Sequence, residues 1–142
     1  MALDKRWLKD RINNVLRKYN VWSVQAQELL MMTAAVESNL GTYLTQDGGP
    51  ALSIFQIEPK TYEDIWNRVL NVRWPGEFPK NSMSLILNFD VSIMACRAKY
   101  LSIPEPLPND VPGLAKYWKK YYNTPLGKGK VEDAVKKYKL YC

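Results

Sequence analysis

The sequence predicts a mainly helical fold, about six helices around a central buried helix with a small β or loop lobe, and three observations predict it. Apolar residues recur at steps of three and four over most of the chain. The stretch that lacks this period is rich in Gly, Thr and Pro, and no internal repeat or linker divides the sequence. With 142 residues and 46% hydrophobic content, residues 1–142 fit one compact domain. A domain of that size buries roughly 68–70% of the surface its unfolded chain exposes.

Between residues 4 and 19, Trp7, Leu8, Ile12, Val15, Leu16 and Tyr19 form one apolar stripe with charged residues elsewhere, which predicts an amphipathic helix. A second helix begins after Ser23, a suitable N-cap, runs through Leu29, Leu30, Ala34 and Val36, and stops at Gly41. Residues 42–58 combine Thr45, Asp47, Gly48, Gly49 and Pro50 with the short apolar run Leu52 to Ile57, and read as a loop or small hairpin. Pro59-Lys60-Thr61 opens a third helix in which Tyr62, Ile65, Trp66, Val69 and Leu70 share a face. Thr61 and Asp64 have the spacing of a capping box, and the helix ends before Trp74-Pro75-Gly76. The fourth helix, Ser84 to Leu101, is apolar almost throughout and is expected to be the central one. Pro104, Pro106 and Pro108 stiffen a connector to a fifth helix at 110–122, and a sixth covers 130–141.

The chain has no His, which removes a Ser-His-Asp triad, a Cys-His pair and most catalytic zinc sites. Cys96 and Cys142 lack metal-ligand spacing and read as incidental thiols, so neither a metal nor a cofactor is expected. Chemistry must rest on carboxylates, Lys, Tyr or Ser. A net charge of +6 favours anionic partners: nucleic acid, anionic lipid or cell-wall polymers. The cations are spread over several helices without helix-turn-helix spacing, so no nucleic-acid partner is expected, and the chain is read as a monomer. The longest apolar stretch, Ala26 to Val36, falls far short of the roughly 20 residues that span a bilayer. The opening Met1-Ala2-Leu3-Asp4-Lys5-Arg6 runs directly into charge and lacks the pattern of a secretory signal, which predicts synthesis in the cytoplasm.

Glu37 is the leading candidate for chemistry. On its helix face lie Leu30, Thr33, Ala34 and Leu40, with no cation at the position four residues before or after. Partial burial among such neighbours disfavours the ionised form, and a carboxyl that keeps its proton near neutral pH can serve as a general acid.

Two segments then carry a resemblance. Glu37-Ser38-Asn39-Leu40-Gly41, followed by Ala51-Leu52-Ser53-Ile54-Phe55-Gln56-Ile57-Glu58-Pro59-Lys60-Thr61, resembles the signature shared by SLT-type lytic transglycosylases and goose-type lysozymes of the lysozyme-like superfamily. That signature is a Glu-Ser at a helix end, then Gly-Leu-Met-Gln and a Pro-led helix start. Ser53-Ile54-Phe55-Gln56 stands in the place of Gly-Leu-Met-Gln, so Gln56 matches and Ser53 replaces a glycine. Tyr100-Leu101 resembles the end of the family's long helix, and Tyr121-Tyr122-Asn123 resembles its closing Tyr-Asn motif. The matches run in family order from about Leu30 to Asn123.

The resemblance implies a lysozyme-like fold and a peptidoglycan-cleaving enzyme of phage-endolysin type that waits in the host cytoplasm and reaches the wall after release. Glu37 would protonate the oxygen between N-acetylmuramic acid and N-acetylglucosamine. Ser38, Ser53, Phe55, Gln56, Tyr122 and Asn123 would contribute to binding the glycan strand. Asp47 and Glu58 stand where goose-type enzymes carry carboxylates that position water, which leans toward hydrolysis over the one-carboxylate transglycosylase route. The C-terminal helix, with Lys128, Lys130, Lys136, Lys137 and Lys139 around Val131, Val135, Tyr138 and Leu140, is either a basic surface for anionic lipid or lipopolysaccharide or a solvated helix packed on the core. Two rival readings are a basic helical nucleic-acid-binding protein and an inactive wall-binding member of the fold, the latter prompted by Ser53.

Overall fold

A computed structural model describes residues 1–46, 48–123 and 127–142, and the chain is mainly helical. Helix α1, Lys5–Lys18, starts where the Asp4 carboxylate accepts the backbone N–H of Arg6 and Trp7. Its Leu8, Ile12, Val15 and Leu16 are buried as the stripe predicts, whereas Trp7 is half exposed and meets the edge of Phe89.

Helix α2, Val24–Ser38, is capped by the Ser23 hydroxyl, which accepts the Ala26 N–H. It ends three residues earlier than Gly41, because Asn39 already takes the left-handed conformation and Leu40 and Gly41 follow it. The Leu40 N–H reaches back to the Ala34 carbonyl at 3.0 Å, closing the wide ring that stops a helix in this way. Asparagine tolerates left-handed φ better than most residues, which explains its place here.

Residues 42–58 form the expected loop lobe. Leu52 and Ile57 exchange backbone hydrogen bonds at 2.9 and 2.8 Å, and Thr45 bridges Leu52. Ser53 and Gln56 close this turn with φ of 72° and 50°. Ser53 therefore adopts a glycine-like backbone, held by its hydroxyl accepting the Phe55 N–H at 3.2 Å.

Helix α3, Pro59–Ile65, begins with proline in its first turn and continues as a π-helical segment, Trp66–Leu70, and a short α4, Asn71–Arg73. The expected Thr61–Asp64 capping box is absent: Glu58 occupies the N-cap without a side-chain bond, and Asp64 instead pairs with Arg68 one turn on.

The single helix expected over Ser84 to Leu101 is two, α5 at Ser84–Leu87 and α6 at Phe89–Leu101. Asn88 is extended, and its side chain accepts the N–H of Asp90 and Val91, so it caps α6 from inside an apolar run. Helix α6 packs against α1, α2, α3, α5 and both π-helical segments. Helix α7, Val111–Tyr117, passes into the second π-helical segment, Trp118–Asn123, and α8 covers Val131–Tyr141 and packs on α2 and α7. The buried side chains form one hydrophobic cluster from Leu8 to Ala134. Among the described residues no helix is long and apolar enough to cross a membrane.

Candidate active site

Glu37, just before the left-handed turn that ends α2, lines a polar cleft of about 590 Å³. Glu37 belongs to the last turn of α2, where it is mostly buried, and its Oε2 accepts the indole N–H of Trp118 at 2.9 Å. Burial is the strongest influence on this carboxyl and raises its pKa from 4.5 to about 7. The Trp118 hydrogen bond and the Lys99 charge both favour the carboxylate, yet desolvation outweighs them. Glu37 can thus hold or release a proton near neutrality.

Trp118 opens the second π-helical segment, whose wider turn also supplies Tyr122 and Asn123 to the cleft. Such segments recur at functional sites because the extra residue re-aims side chains. The indole is 1% exposed, and Gly129 lets the chain pass beside it: a Cβ there would lie 2.6 Å from the ring. Replacing Trp118 with Phe removes a donor to the ionised carboxylate, so the Glu37 midpoint is expected to rise above about 7. Carboxyl-carbon NMR titration of Glu37 checks this, and an unchanged or lowered midpoint would contradict it.

Of the residues expected at the site, Glu37, Gln56, Glu58, Tyr122 and Asn123 all line the cleft. Gln56 also closes its own turn, its Nε2 donating to the Ser53 carbonyl at 2.8 Å. The Tyr122 ring is buried and stacks on Tyr100, while its hydroxyl donates to the Phe55 carbonyl at 2.5 Å and so ties the second π-helical segment to the loop lobe. Its phenol proton is therefore committed within the protein. Asn123 Oδ1 accepts from the Lys119 ammonium at 2.7 Å.

Three expected binding residues lie behind the cleft. Ser38 is fully buried, and its single hydroxyl proton is directed at the Ile54 carbonyl at 2.6 Å, with the Ala34 carbonyl 3.0 Å away, while the oxygen accepts the Gly41 N–H, which welds the helix end to the loop lobe. It follows Glu37 directly, and neighbours in a helix point about 100° apart. Ser53 is 3% exposed and serves its own turn, and Phe55 is a core side chain with no exposed surface. Asp47 lies outside the described residues.

The cleft contains residues that the sequence did not single out: Gln46, Ala51, Thr61, Lys99 and Gly127. Lys99 comes from α6, donates to the Tyr122 carbonyl at 3.2 Å, and lies 3.8 Å from the centroid of the Tyr122 ring. Burial lowers its pKa, opposed by neighbouring groups that include Glu37 and Glu58. A cation inside a nearly apolar helix was the available signal for Lys99. Trp118, 81 positions from Glu37, had none.

Among the described residues no cluster of His, Cys, Asp and Glu could hold a metal ion. Cys96 is buried and Cys142 is partly buried, and both are free thiols. Comparison with protein-family models, with curated proteins and with solved structures returned no match.

Proposed function

We propose that this chain is a lysozyme-like muramidase, a single catalytic domain arranged around α6 that cleaves the bond between N-acetylmuramic acid and N-acetylglucosamine in peptidoglycan. The observation that carries the reading is Glu37: one desolvated carboxyl with a pKa near 7, open to a polar cleft that a second carboxylate, Glu58, also lines. Glycoside cleavage asks for a carboxyl that can keep its proton with a second carboxyl group in the same cleft. The sequence resemblance at Glu37, Gln56 and Tyr121-Tyr122-Asn123 supports the same reading.

In the proposed reaction, Glu37 gives its proton to the bridging oxygen, the glycosidic C–O bond breaks, and positive charge develops on the sugar ring. Water held by Glu58 adds its oxygen to the anomeric carbon, and a proton returns to the Glu37 carboxylate. The amide groups of Gln46, Gln56 and Asn123 and the Thr61 hydroxyl supply hydrogen-bonding partners for sugar hydroxyl and acetamido groups.

The protein would act on the wall after release from the cytoplasm, as an endolysin does. A contact with anionic lipid or lipopolysaccharide is part of the proposal: α8 exposes Leu140 beside Lys136 and Lys139.

The test is digestion of purified peptidoglycan with mass analysis of the released muropeptides. Release of fragments whose reducing ends have full mass is expected. Ends lighter by one water would replace hydrolysis by the transglycosylase route, and no release at all would overturn the enzyme reading.

A further inference from the structure

Lys99 has no role in the reaction just described, and its setting is unusual for a lysine. Most lysines keep the ammonium in water, but this one is largely withdrawn from solvent in the wall of the cleft. An ammonium carries three N–H donors. One is used on the Tyr122 carbonyl at 3.2 Å, and the Tyr122 ring covers one flank. Among the described residues no carboxylate oxygen lies within the 4.0 Å of an ion pair with it. Gln46, Gln56, Thr61 and Asn123 supply no countercharge, Glu37 is largely protonated below about pH 7, and Glu58 shares the cleft and acts on the ammonium without reaching ion-pair distance.

A desolvated cation without a directly paired counterion is costly, and a ligand that brings a carboxylate into contact lowers that cost. We infer that Lys99 is an anion-recognising group of the cleft, which selects glycan strands bearing a carboxylate over neutral ones. This rests on the glycan-cleaving reading and adds a specificity that neither Glu37 nor the amides of the cleft can supply. Two sources share the chemistry: the lactyl carboxylate of a muramic acid without peptide, and the carboxylates of a peptide stem. An anionic ligand beside Glu37 also favours the protonated acid, so recognition and proton donation reinforce each other.

The experiment uses the full chain carrying Glu37→Gln, so that ligands survive, and measures calorimetric binding of three tetrasaccharides. These are neutral chitotetraose, a peptide-free N-acetylglucosamine–N-acetylmuramic acid tetramer, and the same tetramer bearing stem peptides. At least one carboxylate-bearing ligand is expected to bind about ten-fold or more tightly than chitotetraose, as one charge-assisted hydrogen bond provides. Preference for the peptide-free tetramer assigns the lactyl group, and preference for the peptide-bearing one alone assigns the stem. Adding Lys99→Met should abolish the preference while chitotetraose binding persists, and adding Lys99→Arg, which keeps the charge, should retain it. Equal affinity for all three ligands, or a preference that survives Lys99→Met, overturns the inference and leaves the glycan reading standing. A parallel titration with sodium D-lactate, read at the Trp118 indole N–H by NMR, separates the two failures. If no glycan binds but lactate shifts that signal only when Lys99 is present, the anion site holds and the glycan reading falls; if neither occurs, both fall.

Discussion

Replacing Glu37 with Gln is expected to lower peptidoglycan cleavage by roughly 10²–10⁴-fold, the usual worth of a positioned general acid. Glutamine keeps the shape of the side chain and still offers an oxygen to the Trp118 indole, so the hydrogen bond at 2.9 Å has a successor. What disappears is the proton. The loss should be carried by kcat, because the missing interaction belongs to the transition state rather than to the bound glycan. Initial rates on purified peptidoglycan, with circular dichroism to confirm the helical content, check this. Equal rates for the two proteins would show that another group donates the proton.

The same substitution should strengthen the fold, and by an amount that depends on pH. In the unfolded chain the Glu37 carboxyl has an ordinary pKa of 4.5, whereas burial raises it to about 7 in the folded chain. Between these values the unfolded state has released a proton that the folded state retains, so stability falls as pH rises through that window. Above about pH 7 both states are ionised and the penalty is complete, on the order of 3 kcal/mol. Glutamine has nothing to ionise. Urea unfolding is therefore expected to show Glu37→Gln matching the parent protein near about pH 4 and exceeding it near about pH 8 by a margin of that order. Parallel stability curves across this range would mean that the carboxyl is not desolvated. A buried carboxyl whose ionised form weakens the fold is common where selection has favoured chemistry over stability.

The sequence announces the helices well wherever one face is apolar and the other charged, as in α1, because the period itself encodes the packing. It fails where a helix is apolar all round. Nothing in the run from Ser84 to Leu101 marks Asn88 as a break, since its capping role depends on an extended backbone set by tertiary packing. At the site, Glu37 is legible from its own helix neighbours, and Glu58 and Gln56 from their place after it. Ser38 misleads for the opposite reason: adjacency in sequence to a reactive group is not adjacency in space, and its side chain points into the core. Lys99 and Trp118 come from elements far along the chain, and local pattern holds no record of that encounter. Ser53 shows a third limit, a non-glycine residue that accepts left-handed φ because its own hydroxyl stabilises the turn.

The turn that follows Glu37 is fastened from two directions. The Leu3 N–H donates to the Leu40 carbonyl at 2.8 Å, Leu3 packs over Gly41, and the Lys137 ammonium reaches the Asn39 side-chain oxygen. Leu3 and Lys137, far apart along the chain, therefore meet at the turn that follows Glu37. During synthesis this junction forms only after α8 has emerged from the ribosome, which makes the geometry around Glu37 one of the last features to be finished. A nascent chain has most of its helices before Lys137 reaches Asn39, so the wall of the cleft that carries Glu37 is fastened only once α8 is in place.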